Sequence, residues 1–390
     1  MAELTLTRDP RAEVATSSAR TRNSGLDALR ATLTVLVLFH HSAITYGAMG
    51  GWFYREVPTD GRLETKLLIF FCTLNQAYFM GLFFLMAGYF TPDAVEKHGS
   101  PIYLRERLLR LGLPLLVFGF LIGPATIALA QTAQGRPFLP GLLRLWARGT
   151  FESGPLWFAQ ALLIFAAGYL VWRSMTSRFR STGSSASAFP SNSAMALAAL
   201  ITGAGAFALR LAWPVGSDVF GLQLGYFASY IVLFVAGCAG ASGNWLENIP
   251  ERQRRVWWWV SRSAIPVLPS VVLLAPFFPV LKGDASGGWN VQAVVYAFWE
   301  PLVAWGLILV LLSAFHRLFA TLNPVWAALS RRAYAIYIIH PPVLVAIALG
   351  WRNVEAPHFI KFALTGALTS LVCFWIAGIL LRVPLIRKLV

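Results

Sequence analysis

Several residues suited to chemistry stand inside or beside apolar runs, where an ionisable side chain is costly and marks a functional position by default. The first run begins Leu26-Asp27-Ala28-Leu29-Arg30 and ends Phe39-His40-His41-Ser42. On a helix, the eleven steps from Arg30 to His41 cover about 16 Å and return to within about 20° of the starting direction. Arg30 and His41 therefore share a stripe with Asp27, Thr34 and Val37, whereas His40 points about 100° away. A neutral imidazole so placed can take a proton from a hydroxyl near neutral pH. Asp27 is too far along the helix to orient that ring, so a partner must come from another helix. A snorkelling Arg beside interfacial histidines would leave the same residues in the sequence.

Two further clusters carry polar chemistry. Arg105-Glu106-Arg107-Leu108-Leu109-Arg110 precedes Leu111-Gly112-Leu113-Pro114. Arg107 and Arg110 are one helical turn apart, so both guanidiniums can grip one phosphate-bearing ligand through bidentate bonds. Anchoring of a loop on the basic side of a membrane is the alternative for this pair. Tyr334, Tyr337 and His340 recur every third residue and form a polar stripe, which packing alone could also require. Glu300, in Phe298-Trp299-Glu300-Pro301, needs a cationic partner or a proton if it lies within a span. Asn75 and Gln76 are weaker candidates.

The elements that must position these residues are membrane helices. Apolar residues make up 57% of the 390 and charged ones only 13%, which excludes a soluble enzyme, a disordered chain and a coiled coil. Apolar runs long enough to cross a bilayer occur at about 28–49, 67–90, 109–130, 156–173, 193–213, 222–241, 257–279, 290–313, 333–350 and 360–381. The expected fold is all-α, a polytopic bundle of about ten transmembrane helices. An even number of spans puts both termini on one side, and the basic tail with Arg8, Arg11, Arg20 and Arg22 makes that side cytoplasmic. Alternating from there, about two-thirds of the 32 Lys and Arg fall on the cytoplasmic side. The net charge of +15 is thus read as topology, not as nucleic-acid binding. Residues 1–25 form a cytoplasmic tail without a cleavable signal, 26–385 the membrane domain, and about 178–192 a Ser-rich flexible linker within it. Cys72, Cys238 and Cys373 form neither a disulfide framework nor a zinc pattern, and no metal is expected.

Short motifs recur in a set order along these spans. They are Arg30 with ten residues before His41, Phe83-Phe84-Leu85-Met86-Ala87-Gly88, Arg107 to Arg110 with Leu111-Gly112-Leu113-Pro114, Gly154-Pro155-Leu156-Trp157-Phe158, Phe234-Val235-Ala236-Gly237, and Tyr337 to His340. On them, over about residues 22–385, the chain resembles the membrane acyltransferase 3 family, whose members acylate surface glycans, antibiotics and periplasmic glucans. Ala87 stands where that family's pattern has Ser, which removes a polar role there. The Trp-Glu-Pro around Glu300 looks most like the branch that modifies periplasmic glucans. The resemblance implies an integral O-acyltransferase of the cell inner membrane. It would move acetyl or succinyl from cytoplasmic acyl-coenzyme A to a hydroxyl of a glycan or other extracytoplasmic acceptor. Arg107 and Arg110, with Arg30 nearby, would bind the donor, and His41 would be the general base. Glu300 or a tyrosine would orient it, and Asn75, Gln76 or Tyr337 would face the oxyanion. A transporter or flippase of a glycan or lipid-linked precursor is the competing class, weakened by the lack of an internal repeat.

Overall fold

The structure, a computed structural model, describes residues 23–176 and 187–389. Most of the N-terminal tail and most of the Ser-rich linker lie outside the described residues. Within them the chain is helical and has no β-strand.

Among the described residues, nine helices are long and apolar enough to cross a membrane. They are α1 (Ser24–Thr45), α2 (Leu63–His98), α3 (Ser100–Gln134), α5 (Gly154–Thr176), α6 (Asn192–Ala212), α8 (Glu251–Leu274), α9 (Val291–Leu318), α10 (Pro324–Gly350) and α11 (His358–Leu380). Two shorter apolar helices, α4 (Phe138–Ala147) and α7 (Leu224–Gly240), complete the set. The run expected at 222–241 is α7, whose length of about 25 Å is at the lower limit for a span. Polar caps set some of the boundaries. Asn23 Oδ1 accepts the Leu26 N–H at 3.1 Å and starts α1, and Asn290 and Asn323 do the same for α9 and α10.

α1 is the central post. It packs against α2, α9, α10 and α11, while α2 pairs with α7, and α8 with α9. At its start Gly25 lies so close to Phe315 and His316 of α9 that a Cβ would sit 2.9 Å from their backbone. α2 and α7 meet at Gly88 and Gly237, where a Cβ would fall 2.1 Å from the Phe234 carbonyl oxygen and 2.2 Å from that of Leu85. Small residues on both helices permit this backbone-to-backbone contact. It accounts physically for two of the glycine motifs read in the sequence. α11 exposes Ile360, Leu364, Leu368, Leu371, Trp375 and Ile379, an outward apolar face of helical period suited to lipid.

α3 departs from a plain helix. Pro114 and Pro124 each lack the N–H that would bond the carbonyl four residues back, and each follows a π turn, Leu108–Gly112 and Phe118–Ile122. Side chains from elsewhere claim the carbonyls that lose those donors. Tyr334 Oη donates to Arg110 O at 2.9 Å, and Trp146 Nε1 of α4 donates to Phe120 O at 2.9 Å.

Candidate active site

His41 lies one turn before the end of α1 and meets His340 of α10, with His41 Nδ1 2.9 Å from His340 Nε2. The two rings are nearly parallel, 7° apart, with centroids at 5.1 Å. His340 is fully buried, and its Nδ1 lies 2.6 Å from the carbonyl oxygen of Tyr337. The next residue is Pro341, which cannot give Tyr337 its usual helical N–H. A carbonyl only accepts, so His340 Nδ1 carries hydrogen. In the neutral pair His340 Nε2 then accepts from His41 Nδ1–H, and the lone pair of His41 is left on Nε2. The local sequence His340-Pro341 thus fixes a tautomer across two helices.

The loop between α1 and α2, residues 46–62, covers this pair. Trp52 stacks on His41 with centroids 3.9 Å apart and planes 8° apart. Polar ties hold the loop. The N–H groups of Glu56 and Val57 donate to Thr45 O at 2.9 and 3.2 Å, and Arg55 Nη2 donates to Ala48 O at 2.5 Å. Glu56 forms an ion pair with Lys361 of α11, both largely buried. Tyr46 Oη bonds to Thr365 at 2.9 Å and accepts from Trp351 Nε1 at 3.1 Å. A buried ion pair is costly to form and costly to break, so it pins the loop in one place.

The other residues singled out in the sequence fall in three places. Tyr337 donates to Pro155 O at the start of α5, with its ring 5.9 Å from that of His340. It therefore belongs to the wall of the same site. Arg30, Arg107 and Arg110 lie toward the opposite end of the bundle. Arg30 pairs with Asp27 at 2.5 Å, and Asp27 O accepts from Ser330 of α10 at 3.1 Å. One turn along α10, Tyr334 reaches Arg110 O, which joins the start of α1 to the Arg107–Arg110 segment through α10. Arg107 lies over the Tyr103 ring at 5.0 Å and Arg110 falls inside the first π turn. Arg107 is half-buried and Arg110 is exposed.

Glu300 is in the third place. It is buried in an ion pair with Arg210 of α6, whose guanidinium also sits over the Tyr296 ring at 4.5 Å and donates from Nε to Gly225 O at 3.0 Å. Glu300 is therefore not the hydrogen-bond partner of His41; His340 is. His40, one residue before the base candidate, stacks instead on Phe79 of α2 at 5.0 Å. Gln76 is engaged with Tyr230 at 2.8 Å, and Asn75 is buried with no acceptor for its Nδ2 among the described residues.

The model of the acyltransferase domain matches residues 23–381, which covers α1 to the end of α11. The chain belongs to the membrane acyltransferase 3 family. It is an enzyme that transfers acyl groups other than aminoacyl groups, and a multi-pass membrane protein. The transporter reading gives way accordingly. No curated protein and no solved structure matches the chain. In this acyltransferase, His340, Trp52, Glu56 and Lys361 join the site that the sequence reading assigned to His41. The sequence held a signal for two of the four. His340 was the third member of the Tyr stripe, and Lys361 is a charge at the head of the last apolar run.

Proposed function

We propose that this acyltransferase moves acetyl or succinyl from cytoplasmic acyl-coenzyme A to a hydroxyl of an extracytoplasmic glycan or similar acceptor, in the cell inner membrane with both termini inside. The observation that carries the reading is the His41–His340 hydrogen bond, which leaves Nε2 of His41 as the basic nitrogen. Arg107 and Arg110, with Arg30 on the same side, bind the phosphates of the donor. The thioester arm then spans the distance of about 16 Å from the Arg30 level to His41.

The chemical step follows from that placement. The acceptor hydroxyl gives its proton to His41 Nε2, and its oxygen attacks the thioester carbonyl carbon, forming the new C–O bond. The tetrahedral intermediate collapses with cleavage of the C–S bond. The imidazolium returns the proton to the departing thiolate sulfur, so coenzyme A leaves as the thiol. His340 keeps the ring in the correct tautomer and spreads the transient charge. Glu300 serves the scaffold through Arg210 and takes no part in the transfer.

The test is release of free coenzyme A from acetyl- and succinyl-coenzyme A by purified protein supplied with a glycan extract. Wild type and His40→Ala release it, and His41→Ala, still folded, does not. Release by His41→Ala at the wild-type rate would remove His41 from the chemistry.

A further inference from the structure

A cleft of about 550 Å³ opens beside Trp52, between the 46–62 loop and the end of α3. Its lining includes Trp52, Tyr54, Arg55, Gln131, Gln134 and Arg136, and no acidic side chain. Trp52 therefore belongs to two environments at once. It stacks on His41 and it lines the cleft, so the cleft begins one aromatic ring from the base. Its indole Nε1 is buried without a hydrogen-bond acceptor among the described residues.

The two arginines give the cleft a sign. Arg55 uses Nη2 for Ala48 O and Thr59, which leaves its other N–H groups unspent among the described residues. Arg136 follows the left-handed Gly135 that ends α3 and forms no ion pair among the described residues. The acids of the neighbouring loop are committed elsewhere, Glu56 to Lys361, and Asp60 to Thr65 and Arg62. Two guanidiniums without a local counter-charge among the described residues, beside aromatic rings and two side-chain amides, match a hydroxylated ligand that is itself an anion.

We infer that this cleft is the acceptor subsite and that it selects an acidic carbohydrate, with Arg55 and Arg136 on its carboxylate or phosphate and Trp52 and Tyr54 against its sugar rings. The inference rests on the acyltransferase reading of His41 above, and it adds the charge of the acceptor. Carboxylate and phosphate share the recognition chemistry, and the experiment separates them.

Binding of tetragalacturonate, maltotetraose phosphate and maltotetraose to the full chain in lipid nanodiscs is measured by calorimetry. At least one anionic probe binds tenfold or more tighter than neutral maltotetraose, and the preference shrinks as salt rises. The stronger anionic probe identifies carboxylate or phosphate. Arg136 is exposed, so Arg136→Gln leaves the fold intact, and it lowers anionic binding about tenfold while sparing maltotetraose. Equal affinity for the three probes, or an Arg136→Gln protein within twofold of wild type, overturns the inference. His41→Ala keeps the anionic preference. Preference in a wild-type protein that transfers nothing would therefore fault the chemistry assigned to His41, whereas wild-type transfer without preference would fault the cleft.

Discussion

Replacement of His340 by Phe tests the tautomer argument directly. The substitution keeps a flat ring beside His41 but removes the acceptor 2.9 Å from His41 Nδ1. A buried N–H left without an acceptor costs about 1–3 kcal/mol. The imidazole avoids that cost by moving its proton to Nε2, which takes the lone pair away from the acceptor hydroxyl. At 1.36 kcal/mol per decade, the competent tautomer falls about 5- to 150-fold, and kcat falls with it. The KM for acyl-coenzyme A stays near wild type, because the arginines assigned to it lie toward the other end of α1. His340→Gln offers an amide oxygen near the former Nε2 position and recovers most of the loss. The assay is initial-rate coenzyme A release at saturating donor, with thermal unfolding measured on each protein. His340→Phe within twofold of wild type, or Gln no better than Phe in equally folded proteins, would refute the reasoning.

Three other outcomes follow from the same geometry. Arg107→Ala raises the KM for acyl-coenzyme A about 10- to 150-fold with little change in kcat, and Arg107→Lys recovers only part, because a charged hydrogen bond of about 1.5–3 kcal/mol and its fork geometry are lost; an unchanged KM in both would remove the donor role. Gly88→Ala puts a methyl 2.1 Å from Phe234 O, so α2 and α7 must separate by about 1 Å, and overpacking of this kind lowers stability by about 1–3 kcal/mol, read as a fall in Tm. Glu300→Ala strands the buried Arg210 and costs about 3–5 kcal/mol, whereas the Arg210→Met, Glu300→Leu double variant regains most of it with kcat intact; a stable but inactive Glu300→Ala would return Glu300 to the catalytic machinery.

Composition and run length made the helical membrane fold legible, because crossing a bilayer dictates both. The positions of helix ends were less so. α8 begins at Glu251, some residues ahead of its apolar run, because Arg252, Arg254 and Arg255 continue the helix and Glu251 pairs with Arg254 and Arg255. Helical periodicity separated His41 from His40, since eleven steps of 100° concern a single helix. It could not select the partner of His41. Glu300 was attractive as a buried carboxylate, but its register on α9 points it at Arg210, and that depends on how α6 and α9 pack. The 46–62 loop was silent for the same reason. Trp52 and Glu56 matter only once the loop folds back onto α1 and α11, and no local pattern encodes that return.

Prolines connect the fold to the site. Within a span, each proline removes an N–H, and with no water at hand the carbonyl four residues earlier must find another donor. Of the carbonyls so exposed, those of Arg110, Phe120 and Tyr337 receive a Tyr, a Trp and a His side chain. The first bond joins α10 to the segment that carries Arg107 and Arg110. The second fastens α4 onto α3, just before the stretch that forms one wall of the cleft. The third sets the proton on His340 and, through it, the lone pair on His41. A defect that would weaken a water-soluble helix by about 3 kcal/mol or more becomes, in this bundle, the means by which one helix dictates the position or protonation of a group on another. Pro341→Ala would restore the N–H to Tyr337 O and make it compete with His340 Nδ1. It would thereby reduce kcat without touching any group that meets the substrate, and an unchanged kcat in a folded Pro341→Ala protein would break the link between helix backbone and catalytic tautomer.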